Sequence, residues 1–278
     1  MSIGEDAAIG VFDSGLGGLT VASAIVEHLP HENIVYLGDT ARVPYGTRSG
    51  ETVVRYARRN IAFLQRQGVK AVVVACNTVS AQGVESYGGG LKVPCLGVIE
   101  PGAQAAATAT VTNSVAVLGT PATVRSQAYP RALFAIEPAI AVHQIACPLF
   151  VPLVEEGWLT HAVTESIVEE YLQPLRGADV DTVILGCTHY PLLAPPIKRV
   201  AERILGHSVA IVDSARALAQ TLETLFPTPR LASPVVPTHR FFVTDAPDRV
   251  ADVARRFWRH DTTESMVLEH IDLVDHGQ

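Results

Sequence analysis

Two cysteines of this chain stand in matching settings. Residues 181–193 read DTVILGCTHYPLL: an unbroken apolar run, Gly186, then Cys187, Thr188 and His189, with Pro191 just beyond. Residues 70–80 read KAVVVACNTVS, where another apolar run ends at Cys76 and is followed by Asn77 and Thr78. A short apolar run without alternation suits a strand covered on both faces. Pro191 suits the first turn of a helix, where a missing N–H costs little. Each thiol is therefore expected where a strand gives way to a helix. Free N–H groups there favour anions and are expected to lower a thiol pKa from its usual value of about 8.5. A single such cysteine is as well explained as a small buried hydrophobe. The second copy changes the balance, because polar turns at the carboxyl ends of strands are where open α/β sheets bind ligands.

A reaction that takes a proton from one face of a carbon and returns one to the other face needs two acid/base groups on opposing sides. Two thiols presented by facing half-domains meet that need. Each alternates between thiolate base and thiol acid, with titration expected not far above neutral. Backbone N–H groups and the hydroxyls of Ser14, Thr78 and Thr188 can stabilise charge growing on an adjacent carboxylate, and an amino-acid α-carbon fits these requirements. A thiol hydrolase built on Cys187 and His189 is the rival chemistry, but it leaves Cys76 and its matching turn without a role. The other two cysteines, Cys95 and Cys147, lie in apolar surroundings and are read as packing residues. The four show no CxxC or Cys/His spacing of metal-ligand form, so no metal is expected. The three lysines, Lys70, Lys92 and Lys198, lie outside both thiol turns, so no Schiff-base cofactor is expected and the reaction is read as cofactor-free.

The elements that must position these groups follow in order. Residues 8–12 form a strand that runs into Asp13, Ser14 and a glycine-rich turn, then a helix to about residue 29. The turn is not GxGxxG, and no acidic residue stands at the ribose-binding offset, which argues against a dinucleotide. Asp13 reads equally as a helix cap and as a catalytic carboxylate. Residues 34–37 form a second strand, and the loop after it places Asp39 and Tyr45 on the same rim as Asp13 and Cys76. A helix over 51–67, the strand before Cys76, a glycine loop at 88–90 and a strand at 95–98 complete this half, with residues 100–102 as the candidate crossing. The pattern then restarts with a strand at 114–118 ending in Gly119 and Thr120. Asp13 precedes Cys76 by 63 residues and Thr120 precedes Cys187 by 67, which supports a diverged internal repeat. A helix to about 134, a strand at 139–145 and the segment CPLFVPLVEEGW at 147–158 lie between them. Glu155 in that segment reads as a surface charge in preference to an orienting carboxylate. A helix to 205, a strand at 209–212, a helix at 214–225, a proline-marked loop, a strand at 240–244 and a helix at 250–258 follow. This alternation predicts an α/β fold.

The bulk properties agree. A chain of 278 residues exceeds the usual single-domain length of roughly 100–200 residues, so two lobes are expected. With 48% hydrophobic and 18% charged residues the chain is not a disordered one. A net charge of −7 opposes non-specific nucleic-acid binding, and no direct nucleic-acid partner is expected. Glu5 and Asp6 stand where a secretory signal needs positive charge. Residues 101–124 carry no charge but are too polar to span a bilayer, so no membrane partner is expected. A cytoplasmic location, with thiols kept reduced, is the expectation.

Six ordered motifs carry a family resemblance: FDSGLGGLTV at 12–21, GDTARVPYGTRS at 38–49, ACNTVSA at 75–81, GVIEPGA at 97–103, CPLFVPLVEEG at 147–157 and LGCTHYPLL at 185–193. Through them the chain resembles the glutamate racemases of the cofactor-independent aspartate/glutamate racemase superfamily. The resemblance implies interconversion of L- and D-glutamate for peptidoglycan; a racemase for aspartate or another acidic amino acid is the alternative. It implies that Cys76 acts on D-glutamate with Asp13 assisting, and that Cys187 acts on L-glutamate with His189 assisting. Substrate contacts are carried onto Asp13 and Ser14, Tyr45 and Gly46, Asn77 and Thr78, and Thr188 and His189, with Asp39 and Glu155 in supporting roles. The implied architecture is two pseudo-symmetric α/β lobes, each a mostly parallel sheet flanked by helices, with the active site between them. The first comprises residues 1–98 plus 208–278 and carries Cys76; the second comprises 99–207 and carries Cys187. A homodimer and an association with DNA gyrase stay open, because no stretch of the sequence identifies a surface for either.

Overall fold

A computed structural model describes residues 7–226, 237–258, 260 and 266–273. Strands β1 (Ile9–Asp13), β2 (Ile34–Gly38) and β3 (Ala71–Val74) are buried at every residue, which is why they read as continuous apolar runs. Helix α1 (Leu19–His28) joins the first two and α2 (Gly50–Arg66) leads to the third. α2 starts where it does because the Ser49 side chain accepts the Thr52 N–H, and its charges, Glu51 at the start and Arg66 at the end, complement the helix dipole. Val53, Ala57, Ile61 and Leu64 make its buried stripe at helical spacing. Past Cys76 come two short helices, α3 (Asn77–Ser80) and α4 (Val84–Gly88), and strand β4 (Cys95–Gly97).

Helix α5 (Ile99–Ala109) then carries the chain to a second sheet. That half runs β5 (Ser114–Gly119), α6 (Pro121–Ser126), α7 (Ala128–Ile136), β6 (Ala141–Ala146), α8 (Phe150–Glu155) and α9 (Ala162–Leu172). It continues through β7 (Thr182–Gly186), α10 (Ala194–Leu205), β8 (Ala210–Asp213) and α11 (Ser214–Leu225). The chain returns to the first sheet with β9 (His239–Val243), α12 (Pro247–Phe257) and β10 (Leu268–His270). All the strand pairs described are parallel. The sheets are ordered β10-β9-β2-β1-β3-β4 and β6-β5-β7-β8. Each half thus repeats one arrangement, its second, first, third and fourth strands side by side, and the repeat suggested by spacing is a repeat of topology. Cys76 follows β3 and Cys187 follows β7, the equivalent strand.

Several boundaries differ from expectation. Residues 100–102 lie inside α5, so the crossing is the helix itself. The return to the first lobe, expected at 208, comes later: β8 pairs with β7, with Asp213 beside Leu185, and belongs to the second sheet. The helix expected to run to 134 breaks into α6 and α7 at Gln127, whose φ is +56°. Gly88 closes α4 instead of opening a loop, and neither α4 nor β10 was expected. Pro191 sits in a 3-10 turn, Tyr190–Leu193, that precedes α10. Pro227, Pro229 and Pro234 lie outside the described residues.

The halves share a core. α11 packs on both α1 and α5, and Leu19, Ile25, Leu185, Ala215, Leu218 and Leu222 belong to one buried apolar cluster. Each fully buried Leu or Ile contributes about 1.5–3 kcal/mol relative to exposure, so the join between lobes is a stabilised feature. Among the described residues no helix is long and apolar enough to cross a membrane.

Candidate active site

The carboxyl ends of β1, β3, β5 and β7 converge, and the turns leaving them carry the polar side chains. Asp13 is fully buried at the end of β1. One of its oxygens accepts the Gly15 N–H at 3.0 Å, while Oδ1 is buried with no protein partner among the described residues. The Gly15 bond lies within the turn and does not cap α1, whose N-cap is Gly18 with no side-chain cap bond, so Asp13 is not the helix cap. Burial raises its pKa above the ordinary carboxylate range, and His189 opposes that rise. The Cys76 thiol lies 3.5 Å from the Ser14 hydroxyl.

On the opposite side, the Thr188 hydroxyl is 3.4 Å from His189 Nδ1, and His189 Nε2 is 3.1 Å from a Glu155 carboxylate oxygen. Phe257 packs its edge against the imidazole at 5.0 Å between centroids. Glu155, read from sequence as a surface charge, is half exposed and yet holds the histidine. It orients the ring and links a buried group to solvent. The first lobe reaches this turn directly, since the Thr20 hydroxyl lies 3.0 Å from the Thr188 carbonyl. Gly17 is packed so closely there that a Cβ would come within 2.3 Å of Thr188 Oγ1.

Both thiols are buried, and the effect on their ionisation reverses the sequence expectation. Burial pushes the Cys76 thiol up to about 12, with the Asp13 charge adding to the rise. Cys187 is also raised, by burial first, and the Cys76 charge contributes to it, so the two sulfurs are within electrostatic reach. The His189 N–H and the other turn donors lower these values but do not win. Cys95 and Cys147 are raised by burial alone, with no charged neighbour, which matches their reading as packing residues.

The loop after β2 is tied down from within. Tyr45 donates its hydroxyl hydrogen bond to Asp39, whose other oxygen accepts from Thr244 at 2.9 Å and Arg42 at 2.8 Å. The Asn60 amide adds a bond to the Tyr45 hydroxyl at 3.4 Å. The Tyr45 hydroxyl is thus committed inward, and any substrate contact at this turn falls to the backbone of Tyr45 and Gly46. Gly46 faces Thr120, whose hydroxyl caps α6 and stands 3.0 Å from that of Thr78. Thr120 was marked in the sequence only as the counterpart of Asp13 in the repeat. Tyr129, which bonds Asn77 at 2.9 Å, carried no local signal at all. No group of three or more His, Cys, Asp or Glu side chains among the described residues is placed to hold a metal ion.

The chain is similar in sequence and in structure to known glutamate racemases. A glutamate racemase of Syntrophus aciditrophicus is 48% identical over 251 residues, covering 90% of this chain and 92% of its own. A crystal structure of a glutamate racemase isoform from Bacillus anthracis superposes with a TM-score of 0.88 at 38% identity, covering 97% of this chain and 99% of its own. That of the Francisella tularensis glutamate racemase in complex with D-glutamate gives 0.85 at 35% identity, with 96% and 98% covered. The profile of the Asp/Glu/hydantoin racemase family matches residues 9–222. Strand order, paired thiol turns and sequence similarity agree, and the chain belongs to the Asp/Glu/hydantoin racemase family, among the glutamate racemases.

Proposed function

We propose that this protein interconverts L- and D-glutamate by a two-thiol acid/base mechanism without a cofactor, in the cytoplasm, and so supplies D-glutamate for peptidoglycan. The observation that carries the reading is the pair of buried thiols at equivalent strand ends, each with its own polar partners: Asp13 and Ser14 beside Cys76, Thr188 and the His189–Glu155 pair beside Cys187.

The Cys187 thiolate takes the α-proton of L-glutamate, and the electron pair left on carbon is delocalised into the α-carboxylate. The Cys76 thiol then gives its proton to the opposite face, leaving D-glutamate, a Cys76 thiolate and a Cys187 thiol. The reverse reaction uses the same groups in the opposite order. Burial makes each thiolate a stronger base once formed. Its cost in forming that thiolate is offset by the substrate ammonium, whose charge favours an adjacent anion, and by His189 and Asp13 as proton partners. The turn at Tyr45 and Gly46 receives the distal carboxylate, so aspartate, one methylene shorter, leaves polar groups unpaired and reacts more slowly.

Dialysed protein given L-glutamate alone should bring it towards the racemic mixture in a chirality assay, with aspartate far slower in kcat/KM. No racemisation, or racemisation only after pyridoxal phosphate is added, overturns the proposal.

A further inference from the structure

The loop after β2 is held from a part of the chain that carries none of the six motifs. Thr244, the residue after β9, is buried and meets Asp39 across 205 positions. Its hydroxyl accepts the Ala41 N–H at 2.9 Å and donates to Asp39 Oδ1 at 2.9 Å. A backbone N–H only donates, so the hydroxyl's own proton is left for the carboxylate. The Thr244 N–H adds a bond to the Gly38 carbonyl at 3.2 Å. The next residue extends the join: the Asp245 N–H donates to Thr40 Oγ1 at 2.8 Å, and that hydroxyl donates to the Asp245 carbonyl at 2.9 Å. Arg42 reaches Asp39 Oδ1 as well, at 2.8 Å, but it belongs to the same loop and moves with it. Asn60, on α2, reaches the Tyr45 hydroxyl only at 3.4 Å. Thr244 is thus the close anchor from outside the loop.

The loop needs such an anchor. It consists of two three-residue 3-10 turns, Thr40–Arg42 and Tyr45–Thr47, joined at Val43 and Pro44, and Pro44 offers no N–H. Turns this short take their position from what their side chains hold. Tyr45 is the link: its ring is buried and its hydroxyl donates to Asp39, so the place of the Asp39 carboxylate decides where Tyr45 and Gly46 stand. On the other side Gly46 faces the second lobe, where a Cβ would lie 3.5 Å from Thr120 Cβ. We infer that Thr244 is a positioning residue for the distal carboxylate: through Asp39 and Tyr45 it sets the place of the Gly46 turn, and with it the preference for glutamate over aspartate. The inference rests on the proposal that glutamate is the substrate and that this turn receives its distal carboxylate. It gives the strand that returns to the first sheet a part in substrate selection.

Thr244→Val keeps the shape of the side chain and leaves the Ala41 N–H and Asp39 Oδ1 each one partner short. It should raise KM for glutamate about tenfold, the size of one hydrogen bond to a charged group. The value of kcat should stay nearly unchanged, because the turn binds ground state and transition state alike. Thr244→Ser, which keeps the hydroxyl, should restore the wild-type KM. The competitive inhibition constant of aspartate, whose distal carboxylate falls short of the turn, should move less than the glutamate KM. Should Thr244→Val not fold, Thr244→Ala removes the same hydroxyl with less crowding and decides in its place. An unchanged glutamate KM in the folded variant, a loss carried by kcat alone, equal weakening of glutamate and aspartate, or a Thr244→Ser protein as impaired as Thr244→Val overturns the inference while the racemase proposal stands. A wild-type protein that does not racemise glutamate removes both.

Discussion

At the scale of single residues, the decisive contest is between burial and local hydrogen bonding at the two sulfurs. A thiol at a strand-to-helix turn receives N–H donors that favour thiolate, yet removal from water, with the Asp13 charge, outweighs them and pushes the Cys76 thiol up to about 12. The resting site therefore holds neutral thiols whose reactivity depends on partners and substrate. Separate partners on the two sides imply separate duties. In D₂O, at early times, L-glutamate should give D-glutamate carrying solvent deuterium while recovered L-glutamate stays largely unlabelled. Cys76→Ala and Cys187→Ala should each stop full racemisation, since either loss leaves one face without its acid/base group. Cys95→Ala and Cys147→Ala should keep it. Label entering recovered substrate as fast as product, or robust racemisation by either of the first two variants, points to a single base.

At the scale of elements, the strand ends must be held in register for the turns to meet. Asp181, just before β7, does this for the second sheet. Its carboxylate accepts from Thr110 Oγ1 at 2.7 Å, from the Val111 and Thr112 N–H groups at 2.7 and 2.8 Å, and from Thr182 Oγ1 at 2.9 Å, tying the approach to β5 to the start of β7. Burial acts to raise its pKa, but the hydrogen bonds together win and hold it at about 2. Because the folded value lies below the unfolded one, the stabilisation is present above pH 4 and is lost as pH falls through about 2. Asp181→Asn should flatten that acid limb in urea unfolding followed against pH, and lower stability at pH 7 by about 1 kcal/mol after allowance for solvent screening. An acid limb as steep as the wild-type one contradicts this account.

At the scale of the whole molecule, two lobes that share a core through α11 must still bring two turns into contact. Gly17 is where they meet. Its missing side chain lets the turn after β1 lie against Thr188 and His189, where a Cβ would stand 2.3 Å from Thr188 Oγ1 and 2.4 Å from His189 Nδ1. Gly17→Ala should leave each sheet folded but force the turns apart. Displacement of about 1 Å at reacting groups can cost roughly a hundredfold, so kcat/KM should fall by about that factor with far-UV circular dichroism unchanged. Full activity in a folded Gly17→Ala protein excludes this contact as a determinant of the closed geometry.

What the sequence determined by itself is what local pattern and spacing encode. Strands buried on both faces announce themselves as apolar runs, so β1, β3, β5 and β7 were legible, and with them the turns that hold Asp13, Cys76, Thr120 and Cys187. The near-equal offsets pointed to an internal repeat, whose form as a repeated strand order only the structure gave, and the six motifs carried the family. Edges were less legible: β10 is three residues long, and β8 is too short for its pattern to declare which sheet it joins. Tertiary structure alone decided the energetic properties of the site. Glu155 meets His189 across 34 positions, and Asn77 meets Tyr129 across 52, with no period linking either pair. The direction of the thiol shifts was decided there as well, because desolvation depends on every neighbour in space, whereas the turn donors visible in the sequence are only the nearest along the chain.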